Sequence, residues 1–432
     1  FGMEIVWPNR DVWAGPVYVD SIQILPGMPS AEPAIVSVTA ATNTVGRYQR
    51  YEITVGVDHV TRLNPYDPAN VDLRAVFTSP NGTNWTVNGF YMEEAGDVYG
   101  SGRFNVRFAP AEVGVWTYEV IISNSQGSDS STGHSFTCVA SDRSGWIRVS
   151  DDNPHYFEHH DDSPFIGKGY CHPWDGDDEG IFAAAAEHGV NMIHWWMAPW
   201  DTLLTVKPGN PDEWWREKST YDTYEQGRAA ERDRVVGHAE KHGVKLVFTI
   251  WPHDAIRDFN HHKWRLNGSW APCNKDNSIG MTNKISEPEW YYNAFSDLDD
   301  PPQNQKFFYD ARYKEYQNRL YRYIIARWGY SEAIGTWALV SELFGTFANS
   351  ASAVRYQDPP AGVTQPGDFD GRDPFLNMPT NSVVDGNDYS ISWLEYINDY
   401  FKDNDPFGHP TTASYGTDEY WEHGFPIVDV PQ

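Results

Sequence analysis

The sequence predicts a multidomain β and α/β protein, in which an antiparallel β-sandwich is followed by an incomplete (β/α)8 barrel of the TIM type. Between Ala34 and Val139, short stretches of alternating apolar and polar residues are separated by turn sequences, without helical periodicity. From Pro164 onward, apolar strand patterns alternate with amphipathic helix patterns, as in parallel βα repeats. No glycine-rich phosphate loop follows any of these later strands, which favours a barrel over a doubly wound sheet.

Residues 1–28 predict a strand, a turn and a second strand. Two strands alone are marginally stable in water, so we expect this hairpin to complete the sheet of an upstream domain. Its GPVYVDSI stretch is similar to the closing strands of a jelly-roll carbohydrate-binding module. An N-terminal extension that packs on the next domain is an equally good interpretation.

Residues 29–142 predict an antiparallel β-sandwich of seven short strands. The predicted strands are AIVSVTA, YEITVGV, VDLRAVF, WTVNGFYM, GRFNVRF, VWTYEVII and HSFTCVA. The stretch GRFNVRFAPAEVGVWTYEV resembles the sandwich domain of unknown function that precedes many glycoside hydrolase barrels. That resemblance implies an accessory packing domain, and an independent sugar-binding role is the alternative.

Residues 143–432 predict the barrel, with six strands that alternate with helices. The predicted strands lie in PFIGKGY, VNMIHWW, VKLVFTIW, WALVSE, PTTASYG and IVDV. Gly189 and Gly243 end two of the helices as C-cap residues would. A closed barrel of this type has eight strands, so we expect the natural protein to continue, with further domains at both ends; the alternative is that a partner covers the open edge.

Glu342 is the first charged residue after the apolar run that contains Trp337, Leu339 and Val340. The run follows a long amphipathic helix, predicted from Phe307 to Arg327. A polar residue at the carboxyl end of a parallel strand faces the ligand site of such folds. Glu342 is therefore the leading candidate for a catalytic residue, and the alternative is a structural strand-end glutamate that pairs with Arg or Lys.

With these motifs described, the region from Ser163 onward resembles the clan of glycoside hydrolases whose (β/α) barrels carry two catalytic glutamates, and distantly its family 5. The stretch RYIIARWGYSEAIGTWALVSE is similar to the fourth-strand region of that family, which ends in the acid/base glutamate. The resemblance implies that Glu342 is the general acid/base. Ser341 replaces the family's usual Asn, and His194 stands near its usual second-strand Arg. The family's nucleophile follows a seventh strand, so no nucleophile is assigned.

Side chains at the other predicted strand ends suit a sugar-binding cleft, because pyranose rings present apolar faces to aromatic side chains. A stacking platform is predicted for Trp174, Trp195, Trp196, Trp251 and Tyr415. His172, His194, His253 and Ser341 are candidate hydroxyl-binding residues. Each aromatic residue could equally belong to the core, and each histidine to the packing.

The formal net charge of −28 argues against nucleic acid or an anionic membrane as a partner. No apolar run is long enough to span a bilayer. No cofactor is predicted. No metal is predicted either, because the acidic DGDDEG segment fits a helix N-terminus better than a calcium loop.

These observations predict a secreted, extracellular or cell-surface retaining glycoside hydrolase that acts on a β-linked polysaccharide. The alternative is a non-catalytic polysaccharide-binding or structural surface protein built on a degenerate barrel. A polysaccharide lyase would need a basic residue that neutralises a uronic acid, for which this acidic chain offers little.

Overall fold

The computed structural model describes residues 31–60, 63–93, 103–173, 178–198, 204–205, 223–256, 306–343, 389–416, 421 and 424–431. The architecture is multidomain, with β sheets first and an α/β unit after them. The terminal strands predicted for residues 1–28 lie outside the described part.

Two sheets form the first unit, and six of the seven predicted strands are present in them, while the predicted strand WTVNGFYM is divided between the two sheets. The four-stranded sheet has the order β1 (Ala34–Ala40), β3 (Tyr51–Asp58), β7 (Arg103–Phe108) and β6 (Phe90–Tyr91). The five-stranded sheet has the order β2 (Thr44–Gly46), β9 (Gly127–Val139), β8 (Gly114–Asn124), β4 (Asp72–Thr78) and β5 (Asn84–Asn88). The alternating apolar residues of β3 face a core. In that core Phe77 of one sheet stacks on Phe108 of the other, with ring centroids 4.2 Å apart.

The second unit begins with a small sheet and continues with a six-stranded parallel sheet whose strands follow chain order. The small sheet contains β10 (Ile147–Val149), β11 (Phe157–His159) and β12 (Pro164–Phe165). The parallel sheet contains β13 (Gly169–Cys171), β14 (Met192–Trp196), β15 (Lys245–Pro252), β16 (Ile334–Ser341), β17 (Thr411–Ala413) and β18 (Val430–Pro431). The predicted order of six parallel strands is confirmed, and the described residues contain no closed ring of eight.

The helices are α1 (Glu179–Glu187), α2 (Gln226–His242), α3 (His253–Ile256), α4 (Lys306–Tyr309), α5 (Ala311–Trp328) and α6 (Tyr389–Asn404). Gly243 ends α2 in the left-handed conformation, at φ 66°, as predicted. Asp178 caps α1 by accepting a hydrogen bond from Gly180 N–H, as expected for an acidic helix start. Among the described helices, none is both long enough and apolar enough to cross a membrane.

Several predicted elements have different bounds in the structure, and the last predicted strand, IVDV, is observed only as Val430–Pro431. The helix predicted from Phe307 to Arg327 is divided at Asp310, whose side chain accepts a hydrogen bond from Arg312 N–H and so caps α5. The first barrel strand is shorter than PFIGKGY, because Pro164 and Phe165 pair with β11 in the small sheet. The side-chain cap at Asp310 divides the helix, and the pairing with β11 shortens the strand, although the sequence pattern is continuous through both segments.

Burial separates the middle of the parallel sheet from its edge. Every residue of β15 and β16 is buried, as the apolar run before Glu342 predicted. All three residues of β13, at the edge, are exposed. The two central strands therefore supply the rigid base from which the residues after them project.

Candidate active site

The carboxyl ends of β13 to β17 lie side by side, because parallel pairing brings them to one edge of the sheet. Cys171 is paired in register with His194, and Trp196 with Thr249. Farther along the sheet, Pro252 is paired with Ser341, and Val340 with Ala413. The chain positions that follow these pairs, including His253, Glu342 and Ser414, form the candidate site.

Glu342 directly follows β16, and its side chain is 48% exposed. Its Oε2 lies 2.8 Å from Nδ1 of His253, which is only 10% exposed. Its backbone has a φ of 57°, in the left-handed region that non-glycine residues rarely occupy. Backbone strain of this kind costs about 1–3 kcal/mol and collects at functional sites. The carboxylate is thus open to a ligand on one side and restrained by an imidazole on the other.

His194 is a neutral hydrogen-bonding residue next to this carboxylate. Trp196 Nε1–H donates to His194 Nε2 over 3.1 Å, and the Thr249 hydroxyl lies 2.9 Å from the same nitrogen. Since an indole N–H can only donate, Nε2 carries the lone pair and Nδ1 carries the proton. That Nδ1 lies 4.0 Å from Cys171 Sγ. Burial lowers the pKa of His194 to about 4, although the negative charge of Glu342 opposes the shift.

Cys171 belongs to the same site by its electrostatics. Although the residue as a whole is exposed, partial desolvation raises the pKa of its thiol, and the charge of Glu342 raises it further. The thiol is therefore protonated at neutral pH. Among the residues that the structure describes, no cluster of three or more His, Cys, Asp or Glu could hold a metal ion.

Replacing His194 by Gln should flatten the pH dependence of stability. The unfolded chain binds a proton on His194 below its ordinary pKa of 6.5, while the folded protein binds it only near pH 4. The free energy of unfolding therefore falls as the pH drops through this window, by up to about 3 kcal/mol from this residue. Urea unfolding at pH 7, 5.5 and 4.5 measures the effect. His155→Gln, at an exposed position, is the control, and equal slopes for the two variants would contradict the prediction.

Two of the predicted platform residues lie in the core instead. Trp195 is 0% exposed and packs on Phe248, with ring centroids 5.1 Å apart. Trp251 is also 0% exposed, and its indole N–H donates to Tyr321 OH over 2.8 Å. Neither indole can stack on a sugar from these positions. A strand that is buried on both faces carries the same apolar pattern on each, so the sequence could not tell the two faces apart.

The remaining predicted residues have varied surroundings. Trp196 is 8% exposed, and its ring meets that of His253 edge-on at 6.0 Å, so it lies at the site. Tyr415 stacks on Trp421 at 5.1 Å, and Ser341 is 3% exposed. His172 stacks on Tyr170, with ring centroids 6.1 Å apart. Trp174 lies outside the described residues. Their contact with a sugar stays a prediction.

Several residues that were not predicted from the sequence meet at this edge: Tyr170, Cys171, Thr249, Ser414 and Gly416. All of them lie at or directly after a predicted barrel strand. Tyr170 is 53% exposed, which makes it the accessible ring of the pair with His172. Small polar residues and glycine carry no sequence signal for sugar binding, so only their strand-end position could have indicated them.

The fold is similar to that of a solved structure. The chain superposes on a candidate glycoside hydrolase from Bacteroides vulgatus ATCC 8482 with a TM-score of 0.55 and 16% identity, covering 89% of this chain and 58% of that chain. The chain has a glycoside hydrolase-like fold. The expectation of a glycoside hydrolase-like fold is thus confirmed, and the closer resemblance to the two-glutamate clan and its family 5 stays a prediction. The chain spans 58% of the length of that structure.

Other matches add less. A family model described as a domain of unknown function, DUF5060, matches residues 44–123 of the first unit. An endo-1,4-β-mannanase from Rhizomucor miehei matches with a TM-score of 0.33 and 13% identity, covering 64% of this chain and 62% of that one. A hyperthermostable endo-1,4-β-D-mannanase from Thermotoga petrophila RKU-1 matches at 0.27 and 13%, covering 60% and 57%. Both TM-scores are too low to argue from. No curated protein matches the chain.

Proposed function

We propose that this protein is a retaining glycoside hydrolase that cleaves a β-linked, neutral or lightly charged polysaccharide, with Glu342 as its general acid and base. The observation that carries the proposal is the exposed carboxylate of Glu342, restrained 2.8 Å from His253 at the end of a buried parallel strand. Sites of this class of enzyme lie at that edge of a barrel. The glycoside hydrolase-like fold supports the proposal.

The proposed chemistry needs two carboxyl groups. Protonated Glu342 would give its proton to the glycosidic oxygen as the bond to the leaving sugar breaks, and the resulting carboxylate would then activate water. A second carboxylate, about 5 Å away, would attack the anomeric carbon in a retaining enzyme. The resemblance puts that nucleophile after a seventh strand, so we assign it to no residue of this chain.

The neighbours of Glu342 fit defined roles in this proposal. His253 would hold one carboxylate oxygen in place while the other faces the substrate. The neutral His194 adds no positive charge beside Glu342, which would otherwise lower the pKa of the acid and so favour its ionised form. Trp196, whose indole N–H is engaged by His194, would present its ring to the sugar.

The domain assignment and the location of the protein belong to the same proposal. Residues 29–142 would form an accessory β-sandwich, and residues 143–432 the first six βα units of a catalytic (β/α)8 barrel. Residues 1–28 would belong to an upstream carbohydrate-binding module. Because polysaccharides are extracellular substrates, we propose that the protein acts outside the cell or on its surface.

One observation favours a second candidate, a non-catalytic polysaccharide-binding protein. Ser341 is 3% exposed, so it would reach a sugar less readily than the longer Asn that the resemblance puts there. Loss of that contact would weaken transition-state stabilisation more than it weakens binding. A protein of this kind would bind glycans and release no product.

Product analysis with the natural protein tests the proposal. Hydroxyethylcellulose, galactomannan and arabinoxylan are neutral, soluble, β-linked polysaccharides that cover three backbones. We expect new reducing ends from at least one of them, with mass spectrometry of the products reporting the sugar and the cleavage pattern. Binding without any product would favour the non-catalytic candidate.

A further inference from the structure

The backbone of Glu342 is held by the segment that follows β17. Glu342 N–H donates to the Ser414 hydroxyl over 2.9 Å, and the next N–H, of Leu343, donates to Ser414 C=O over 3.0 Å. Ser414 N–H in turn donates to Val340 C=O over 3.1 Å. One residue therefore makes hydrogen bonds on both sides of Glu342, which fixes where the chain leaves β16.

Gly416 lies against the side chain of the same glutamate and leaves no room for a side chain of its own. It has a φ of +93°, in the region that only glycine adopts readily. A Cβ at this position would lie 3.0 Å from Glu342 Cβ, 3.2 Å from its Cα and 3.3 Å from its Cγ. These distances are shorter than ordinary van der Waals contacts, so any side chain at position 416 would displace the glutamate.

Among the described residues, few other non-glycine side chains have a positive φ, and these are Tyr48, His59 and Asp162. All three precede the parallel sheet, so Glu342 has the unusual conformation that belongs to the candidate site. A left-handed residue at a strand end breaks the alternation of side chains that an extended strand imposes. Its carboxylate direction is therefore set by the contacts that hold the turn.

We propose that Ser414 and Gly416 are positioning residues for the acid/base carboxylate. Ser414 holds the left-handed backbone of Glu342 by hydrogen bonds. Because Gly416 has no side chain, it leaves the space that the Glu342 side chain occupies. The inference rests on the proposed function, because positioning matters for turnover only if Glu342 transfers the proton. It adds that the segment after the fifth strand of the parallel sheet sets the geometry of a residue that follows the fourth strand.

Gly416→Ala and Gly408→Ala form a matched pair for the test. Gly408 also has a positive φ, of +70°, but a Cβ there would have no atom within 4 Å. Both substitutions introduce backbone strain, and only the one at position 416 meets Glu342. We expect the melting temperature to fall in both variants, and further in Gly416→Ala because of the added contact with Glu342. We expect kcat to fall about 10-fold or more for Gly416→Ala and less than about 2-fold for Gly408→Ala, with KM unchanged in both, because small misplacements of a reacting group slow the chemical step.

Ser414→Ala and Ser414→Thr form a second pair that tests the hydrogen bond. Threonine keeps the hydroxyl, so Ser414→Thr should retain several-fold more turnover than Ser414→Ala on the same polysaccharide. Crystal structures of the variants give a readout that is independent of activity. The Glu342 carboxylate should be displaced from its native 2.8 Å contact with His253 in Gly416→Ala and keep that contact in Gly408→Ala.

The outcomes separate this inference from the proposed function. If Glu342→Gln abolishes hydrolysis while Gly416→Ala and Gly408→Ala have equal kcat and equal carboxylate positions, the positioning inference is wrong and the acid role stands. If Glu342→Gln hydrolyses the polysaccharide at the native rate, the acid role and the positioning inference are both wrong. The three soluble polysaccharides named above are the probes.

Discussion

Glu342→Gln is expected to lower kcat/KM for polysaccharide hydrolysis by about 10²–10⁴-fold, the range that general acid–base catalysis contributes. Glutamine has nearly the same shape as glutamate and can occupy the same position beside His253, whose Nδ1 lies 2.8 Å from the native carboxylate. Glutamine cannot give or take a proton, so the rate of the chemical step should fall while the affinity for the glycan is retained. Reducing-end assays and calorimetric binding on the same preparation measure the two effects.

Glu315→Gln is the control for this variant. Glu315 lies on α5, its side chain is 60% exposed, and it pairs with Arg319 on the helix surface. The control removes a carboxylate of the same type away from the strand ends, so turnover should be unchanged. Native hydrolysis by Glu342→Gln would rule out the acid role, and loss of binding together with turnover would indicate a structural role.

Asp233→Asn is expected to lower the free energy of unfolding by about 3–5 kcal/mol, because it removes the shared partner of two buried guanidinium groups. Asp233 Oδ1 accepts from Arg107 Nη1–H over 2.7 Å, and Oδ2 accepts from Arg327 Nη2–H over 2.7 Å. The side chains of Arg107 and Arg327 are 3% and 1% exposed. Although burial opposes it, the two arginines hold the pKa of Asp233 well below its ordinary value.

This cluster joins the two units of the protein. Arg107 lies on β7 of the first unit, while Asp233 and Arg327 lie on α2 and α5 of the second. Glu52, on β3, is a further partner of Arg107. In the variant, an amide nitrogen would face guanidinium donors, and two positive charges would remain buried without their main countercharge. The loss of this countercharge should also weaken the packing of the first unit against α2 and α5.

Urea unfolding at pH 7 measures this effect, with Glu315→Gln again as the control. A surface pair of that kind is worth less than about 0.5 kcal/mol, so the two carboxylate removals should differ several-fold in their cost. The depressed pKa of Asp233 also predicts that its contribution is present at neutral pH and is lost as the pH falls below its ordinary value of 3.8. A loss within 0.5 kcal/mol for Asp233→Asn would contradict the account of the interface.

The order of the strands and helices could be predicted from the sequence, because each element depends on the spacing of apolar residues within its own segment. The alternating residues of β3 predicted a half-buried strand, and the uncharged run before Glu342 predicted a strand buried on both faces. The position of Glu342 at the carboxyl end of that strand followed from the same run. Local chemistry also predicted the left-handed cap at Gly243, because glycine adopts that conformation without steric cost.

Features that depend on distant residues were not readable. Arg107 and Asp233 are 126 residues apart, and a single sequence gives no reason to pair these two among many charged residues. The residues next to Trp251 in the sequence are apolar and would be so whether its indole faced the helices or the site. In the structure the indole N–H donates to Tyr321 OH, on the helix side. The left-handed φ of Glu342 depends on Ser414, 72 residues later. Tertiary contacts decided each of these, and local propensity did not.

The most direct measurement of the acid/base role is azide rescue of Glu342→Ala on a 2,4-dinitrophenyl β-glycoside of the sugar that the polysaccharide products identify. Such a leaving group departs without a proton, so the variant should form the glycosyl-enzyme and then stall, because no base activates water. Azide needs no base and fits the space left by the carboxyl group. The account predicts a rate that rises with azide concentration and a glycosyl azide product of retained configuration. A variant that hydrolyses the polysaccharide at the native rate, with no azide product, would contradict it.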